Sequence, residues 1–209
     1  MNKNNLYWAG VIGLFALVFF YASYKLTESP PTWYDEGLYI QVAHSIAERG
    51  TQSVQTAPGE FISTGFVTGG YPFLAPVALS LRIFGDNLFA ARLPMIVFIL
   101  ALAVAVFLFM YRLFGRQDAL LALLLLATFP LLYGNGKNVL GEVPGLFYIT
   151  LALLFLWRLE LQEFKGIYNY LFLGIFTGLA AVTKPIFFFF FLAIGLVLLL
   201  CIRSIPLRC

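Results

Sequence analysis

Residues 93–111 read LPMIVFILALAVAVFLFMY, an apolar run that contains no charged side chain. A run of this length matches the roughly 17–25 apolar residues that a helix needs to cross the hydrocarbon core of a bilayer. The whole chain of 209 residues is 61% hydrophobic and 11% charged, whereas an ordinary soluble domain is about 25% charged. The sequence therefore predicts an all-α, polytopic membrane protein.

Similar apolar runs before and after this one predict about six transmembrane helices, some of them short. The predicted spans are Leu6–Tyr24, Leu93–Tyr111, Ala119–Tyr133, Pro144–Trp157, Ile167–Thr183 and Pro185–Ile202. The first span follows Lys3 as a signal peptide would, but it lacks a convincing cleavage site of small residues. We therefore interpret it as an uncleaved anchor.

The basic residues of the short loops predict the orientation of these spans. If these six spans are right, one side of the membrane contains Lys3, Arg112, Arg116, Arg158, Lys165, Arg203 and Arg208. The other side contains Lys137 and Lys184. Because basic residues of short loops concentrate on the cytoplasmic side, the N-terminus is expected to be cytoplasmic. The modest net charge of +3 gives no indication of a nucleic-acid partner.

A long outer loop, from about residue 27 to residue 92, separates the first two spans. Its first part starts with Tyr-Asp-Glu-Gly at residues 34–37 and continues with apolar residues at helical spacing. Its last part, Pro72–Phe84, is apolar but too short to cross the bilayer untilted. Two helices at the membrane interface are therefore predicted, the second of them interfacial or re-entrant, around a middle that is rich in Gly, Ser and Thr.

The carboxylates Asp35 and Glu36 begin the first of these helices at the outer surface, while the middle of the bilayer is nearly empty of charge. A transporter or channel more often has ionisable groups or broken helices near the midplane. The distribution therefore favours chemistry at the outer surface. The alternative is that both acids only cap their helix, since acids are favoured at the positive end of a helix dipole.

Three predicted spans begin with a proline that closely follows a charged residue, at residues 92–94 (Arg-Leu-Pro), 142–144 (Glu-Val-Pro) and 184–185 (Lys-Pro). Proline suits the first turn of a helix. If the three starts cluster, their free N–H groups with Arg92 and Lys184 would suit a phosphate or pyrophosphate. The alternative is ordinary helix starts with basic side chains that snorkel to the interface.

His44 is the only histidine, which excludes a His-rich metal site. A divalent cation held by carboxylates stays an open alternative, because hard cations prefer oxygen ligands. The spacing of the acidic residues does not require one. No cofactor is therefore assigned.

Five stretches, in this order along the chain, resemble the N-terminal half of the GT-C membrane glycosyltransferases. They are most similar to the bacterial relatives of the protein O-mannosyltransferases and of the lipid A aminoarabinose transferase. The stretches are Tyr34–Tyr39, Gly70–Pro72, Ile83–Pro94, Glu142–Pro144 and Gly178–Lys184. The resemblance implies that residues 1–209 form the N-terminal transmembrane module of such an enzyme, and we expect the chain to be incomplete at its C-terminus.

The resemblance also implies a function. Such enzymes transfer a sugar from a polyprenyl-phosphate donor to an acceptor hydroxyl on the periplasmic or luminal side. The expected partners are this donor, membrane lipids and a glycan, lipid or protein acceptor, at the outer face of the plasma (inner) membrane. The alternative is a non-enzymatic transporter or a membrane protein that handles polyprenyl lipids.

By the same resemblance, Asp35 is the general base of an inverting attack on the anomeric carbon, and Glu36 supports it. Glu142 is expected to bind the acceptor, the sugar or a cation. The side chains expected to neutralise the leaving lipid phosphate are Arg92, Lys184 and Lys137.

Overall fold

The computed structural model describes residues 2–64 and 69–204, and most of these residues are helical. In chain order the elements are α1 (Lys3–Ser23), α2 (Tyr34–Arg49), β1 (Ser53–Ala57), β2 (Glu60–Ser63), α3 (Tyr71–Phe84), α4 (Leu88–Leu113), α5 (Arg116–Ala127), α6 (Pro130–Gly134), α7 (Glu142–Leu161), α8 (Ile167–Thr183), a 3₁₀ turn (Pro185–Phe188) and α9 (Phe189–Ser204). The prediction of an all-α membrane protein is confirmed, with a short hairpin added.

Three helices in the described part of the chain are long and apolar enough to cross a membrane, namely α1 from Asn4 onward, α4 and α7. The other predicted spans are shorter: α8 has 17 residues, and the span from Ala119 to Tyr133 is divided into α5 and α6. The division lies at Pro130, which has no N–H to donate and whose ring opposes a continuous helix.

Helix α4 forms the centre of the bundle. It contacts α1, α3, α5 and α7, and its buried side chains include Met95, Ile99 and Leu102. The two helices of the outer loop, α2 and α3, pack against each other, and α3 also contacts α4 and α8. The segment that begins with Asp35 is thereby attached to the ends of several helices.

The structure corrects the predicted start of the second span. Helix α4 begins at Leu88, because the Asn87 side chain caps it by accepting a hydrogen bond from Ala90 N (2.9 Å). Pro94 therefore lies inside the helix and leaves the Ala90 carbonyl without its usual N–H donor. The buried Ser80 hydroxyl of α3 donates to that carbonyl instead, at 2.6 Å. A proline in α4 is thus tolerated through a contact from α3.

Replacing Ser80 by alanine should destabilise the protein by about 1–3 kcal/mol, since a buried carbonyl loses its donor. The matched control is Thr177→Val, because the buried Thr177 hydroxyl donates to the Leu173 carbonyl within the regular helix α8. That carbonyl is not opposite a proline, so the control should be nearly neutral. Thermal unfolding of the purified variants in detergent measures both changes. Equal losses would show that the Ala90 carbonyl does not depend on Ser80.

The middle of the outer loop contains a β-hairpin that was not predicted. Strands β1 and β2 pair antiparallel with Val54 opposite Ile62, and Gly59 adopts a positive φ of 82° in the connecting turn. The Pro58-Gly59 pair between two stretches of β-forming residues was the available signal. Strand β1 packs on α2. The remaining part of this stretch, residues 65–68, lies outside the described residues.

The described basic residues of the short loops lie at two opposite ends of the bundle. At one end, here called the Arg116 end, Arg116 Nη1 donates to Asn4 Oδ1 at 2.8 Å. The α4–α5 and α7–α8 connections lie at this end, with Arg112 and Arg158 in the last turns of α4 and α7 and Lys165 in the second connection. The opposite end, here called the Asp35 end, contains the predicted site. Arg208 and the side chains of Lys3 and Arg203 lie outside the described residues.

Candidate functional site

A buried ion pair joins the start of α2 to the first turns of α4. Arg92 Nε and Nη2 donate to Glu36 Oε1 and Oε2, each at 2.7 Å. Both side chains are 0% exposed. Two parallel hydrogen bonds fix the relative orientation of the groups as well as neutralising their charges. Burial of the two charges costs free energy, which close pairing and full hydrogen bonding offset.

The remaining polar atoms of this pair bind the backbone of two other segments. Arg92 Nη1 donates to the carbonyls of Leu26 (2.7 Å) and Pro30 (3.0 Å), and Glu36 Oε1 also accepts from Val139 N (3.0 Å). Four of the five guanidinium N–H groups are thus engaged. The pair holds together α4, the α1–α2 connection, the start of α2 and the loop before α7.

This geometry bears on the roles expected for Glu36 and Arg92. Neither side chain reaches the surface, so Glu36 can support Asp35 only indirectly, and Arg92 does not present its charge to a lipid phosphate. Glu36 is not a helix cap either, because both of its oxygens have other partners and the N-cap residue of α2 is Trp33. The burial arises because the two side chains, 56 residues apart in sequence, neutralise each other inside the bundle.

Asp35 lies next to the buried pair, in the first turn of α2, and is partly exposed. Its carboxylate makes no hydrogen bond or ion pair with the residues that the structure describes. No capping bond from Asp35 to the α2 backbone is present. Among the described residues, nothing competes for the Asp35 carboxylate oxygens, and the adjacent Glu36 is held in place by Arg92. Both features suit a general base.

Lys137 lies in the loop between α6 and α7 and is only 5% exposed. Its ammonium donates to the Tyr24 carbonyl at 2.8 Å and forms no ion pair with a carboxylate of the described residues. Burial lowers the pKa of Lys137, and the charge of Arg92 lowers it further. A side chain at Gly136 would place a Cβ 2.0 Å from the Leu132 carbonyl oxygen, so glycine is needed beside it. The loop thus holds a basic side chain that no carboxylate of the described residues neutralises.

A second ion pair joins Glu142, the first residue of α7, to Lys184, which follows α8. Their side chains are 48% and 20% exposed, so both can meet a ligand. The start of α3 packs beside them, where Gly70 N donates to the Thr183 carbonyl at 3.2 Å. A Cβ on Gly70 would lie 1.8 Å from the Val182 oxygen. The Gly-Tyr-Pro stretch therefore requires its glycine for a close approach to the end of α8.

All six predicted site residues lie at the Asp35 end, in two groups. The first group contains Asp35, Glu36, Arg92 and Lys137, and the second contains Glu142 and Lys184. Within the described ranges, no group of three His, Cys, Asp or Glu side chains is arranged to hold a metal ion. The backbone partners at Tyr24, Leu26, Pro30 and Val139 were not predicted, since a carbonyl or an N–H carries no signature in the sequence.

One comparison with known proteins agrees with the resemblance seen in the sequence. The model of the dolichyl-phosphate-mannose-protein mannosyltransferase family matches residues 72–207. The matched stretch contains Arg92, Lys137, Glu142 and Lys184 and begins after Asp35. No curated protein and no solved structure matches the chain.

Proposed function

The chain belongs to the dolichyl-phosphate-mannose-protein mannosyltransferase family, and on this premise we propose that it transfers a sugar from a polyprenyl-phosphate donor to an acceptor hydroxyl. The observation that carries the proposal is the carboxylate of Asp35, which has no partner among the described residues and lies beside the buried Glu36–Arg92 pair. A base without a competing partner can accept a proton from a substrate hydroxyl. The acceptor is a glycan, lipid or protein.

Asp35 takes the proton of the acceptor hydroxyl as its oxygen attacks the anomeric carbon of the donor sugar. The new C–O bond forms on the face opposite the leaving group, so the anomeric configuration inverts. The bond between the anomeric carbon and the phosphate oxygen breaks, and its electron pair leaves with the polyprenyl phosphate. Negative charge therefore grows on the phosphate as the reaction proceeds, and nearby cations lower the barrier.

Glu36 and Arg92 act as positioning residues in this proposal. Their pair fixes the first turn of α2 to α4 and to the connection that precedes α2. Asp35 is adjacent to Glu36 in the chain, so the pair limits where its carboxylate can move. Preorganisation of this kind favours the reactive geometry because the base does not have to be ordered during the reaction.

Lys184, which is partly exposed, is the cation that we assign to direct contact with the donor phosphate, and Lys137, which is only 5% exposed, is assigned to the longer-range field of the site. Lys137 has no carboxylate partner in the described residues, and Lys184 has one partner, the partly exposed Glu142. An anionic lipid headgroup would therefore compete with Glu142 for Lys184. Glu142 then either releases Lys184 or binds a hydroxyl of the sugar.

Lys184→Met should weaken the binding of a short-chain polyprenyl phosphate by about tenfold, since a hydrogen bond to a charged group is lost. Glu142→Gln should strengthen the same binding by about twofold to fivefold, because it removes the competing carboxylate. Titration of the purified variants with the lipid phosphate measures both. If Lys184 only snorkels at the interface, methionine is tolerated and neither affinity changes.

The outer-face location is supported by the bias of basic residues towards the Arg116 end. The test of the function compares cells with and without the complete gene by mass spectrometry of cell-envelope glycans and polyprenyl-linked sugars. Loss of one sugar modification together with accumulation of its polyprenyl-linked donor is the expected result. Unchanged glycans with a redistributed polyprenyl lipid would indicate a lipid-handling protein instead.

A further inference from the structure

An apolar groove of about 310 Å³ lies between α3 and α4. Its walls come from residues 76–84 of α3 and residues 93–98 of α4. Within the part of the chain that the structure describes, the only polar side chain of the lining is Ser80, and its hydroxyl already donates to the Ala90 carbonyl. A lining of this kind complements a hydrocarbon chain rather than a sugar, a phosphate or a peptide.

The groove opens towards the bilayer. Only residues 85–87 connect α3 to α4, and the two helices pack side by side, so they run antiparallel, with Ile83 at the outer end of the groove and Phe98 at its deep end. Phe98 lies ten residues after the start of α4, which is about 15 Å along the helix towards the middle of the membrane. The groove side chains Leu79, Ile83 and Val97 are each more than half exposed. The surrounding medium at this depth is the hydrocarbon of the lipids.

The size of the groove limits what can occupy it. An α-helix with its side chains is about 10–12 Å in diameter, which is too wide for a cavity of about 310 Å³. The volume is at the lower end of the roughly 300–1,000 Å³ of pockets that hold small molecules. One flexible hydrocarbon chain therefore fits, whereas a helix of a second copy does not.

The polyprenyl chain of the proposed donor would reach this groove from its deep end. Lys184, to which the donor phosphate is assigned, is close to the start of α3, where Gly70 N donates to the Thr183 carbonyl. The outer end of the groove is at the other end of α3, which is about 20 Å away in a helix of 14 residues. A chain that started at Lys184 would have to run through the groove towards the surface. A lipid with its headgroup at the outer end is favoured instead, because its hydrocarbon then points into the bilayer.

The polar groups at the outer end of the groove carry both signs of charge. Arg82 precedes the groove residue Ile83, is exposed and forms no ion pair with the described residues. Asp86 follows α3 and lines a small cavity together with Arg82 and Glu48. His44 Nε2 lies 3.5 Å from one oxygen of each acid, so the other oxygen of each can bind a further partner. A guanidinium beside two carboxylates matches a headgroup that has a phosphate and an ammonium group, whereas the carboxylates would repel a lipid with a net negative charge.

We propose that the α3–α4 groove, formed by residues 76–84 and 93–98, binds a phospholipid with a phosphoethanolamine headgroup. One acyl chain fills the groove, the phosphate pairs with Arg82 and the ammonium group pairs with Asp86. The negative end of the α3 dipole favours the ammonium group at this position. An ammonium group donates hydrogen bonds to a carboxylate, which a trimethylated amine cannot do. The site does not depend on sugar transfer, so it is tested separately from the proposed function.

Native mass spectrometry of the full chain in detergent can test the site by titration with single phospholipids. Phosphatidylethanolamine should bind about fivefold to tenfold more tightly than phosphatidylcholine or phosphatidylglycerol. Val97→Trp places an indole in the groove and Arg82→Gln removes the partner of the phosphate, so each should weaken this binding by about tenfold. Asp86→Asn should abolish the preference for phosphatidylethanolamine over phosphatidylcholine.

Both weakening substitutions have a matched control at an exposed position. Val104→Trp lies on the same face of α4 as Val97, about two turns deeper and outside the groove. Arg49→Gln removes a guanidinium from the last turn of α2. Both controls should leave the binding of phosphatidylethanolamine unchanged. Because Val97 and Arg82 are exposed as well, all four variants should fold, which thermal unfolding in detergent verifies.

Several results would overturn the assignment. Equal affinity for the three phospholipids would indicate unspecific lipid contact, and binding that survives both Val97→Trp and Arg82→Gln would locate the lipid elsewhere. Displacement of phosphatidylethanolamine by a lower concentration of a short-chain polyprenyl phosphate would assign the groove to the donor. A dimer that Val97→Trp dissociates, without any bound phospholipid, would assign the groove to a second copy.

Discussion

Asp35→Asn is expected to lower the rate of sugar transfer by about a hundredfold to ten-thousandfold, the usual contribution of a general base. Asparagine keeps the size of the side chain but cannot take up the proton of the acceptor hydroxyl. Because the Asp35 carboxylate has no partner in the described residues, the substitution should cost no more stability than its interaction with the helix dipole and should leave membrane insertion unchanged. Transfer can be measured by returning the gene that carries the substitution to cells that lack it.

The matched control is Asp118→Asn. Asp118 is also an acid in the first turn of a helix, α5, but it lies at the Arg116 end and is exposed. Both substitutions remove the same favourable interaction with a helix dipole, worth about 0.3–1 kcal/mol. Only Asp35→Asn should abolish transfer. Near-normal transfer by both variants would reduce Asp35 to a residue that stabilises the start of α2.

Arg92→Met should destabilise the protein by about 3–5 kcal/mol, because it leaves the buried carboxylate of Glu36 without its counter-charge. The carbonyls of Leu26 and Pro30 also lose their donor. Arg92→Lys should recover little of the loss, since a single ammonium cannot reproduce a bidentate pair and two further hydrogen bonds. Thermal unfolding in detergent measures the change.

A double variant tests whether the buried charge causes this loss. Glu36→Leu combined with Arg92→Met removes both charges, so it should be more stable than Arg92→Met alone. Polyprenyl phosphate binding provides the second measurement. If Arg92→Met were as stable as the unchanged protein but bound the lipid phosphate less well, Arg92 would contact the donor, and the positioning role would be withdrawn.

Much of the helical architecture followed from local sequence. The run at residues 93–111 is long enough to span a bilayer in any fold, because a backbone in hydrocarbon must satisfy its hydrogen bonds within the helix. The positions of α2 and α3 also followed from helical spacing and from length. The start of α4 did not, because Asn87 caps the helix well before the apolar run begins. The hairpin was missed since its strands are short and gain their stability partly from packing on α2.

The residue types of the candidate site could also be predicted from the sequence. Charged side chains are rare in this chain, so those in the outer loop and between the spans are easily identified. The sequence did not predict which of these side chains are buried and which can contact a substrate. Glu36 and Asp35 are adjacent carboxylates with the same local surroundings in the sequence. Their difference comes from Arg92, which lies 56 residues later and approaches only one of them once α2 packs near α4.

From the sequence come the membrane class, the grouping of basic residues and the set of charged residues at the Asp35 end. These follow from properties that each segment has alone, namely its length, its hydropathy and its charge. The pairing of Glu36 with Arg92, the Ser80 contact that accommodates Pro94 and the pairing of Glu142 with Lys184 arise only in the folded chain. Each joins groups from separate elements, and the packing geometry that brings them within hydrogen-bond distance is not encoded in any one of those elements.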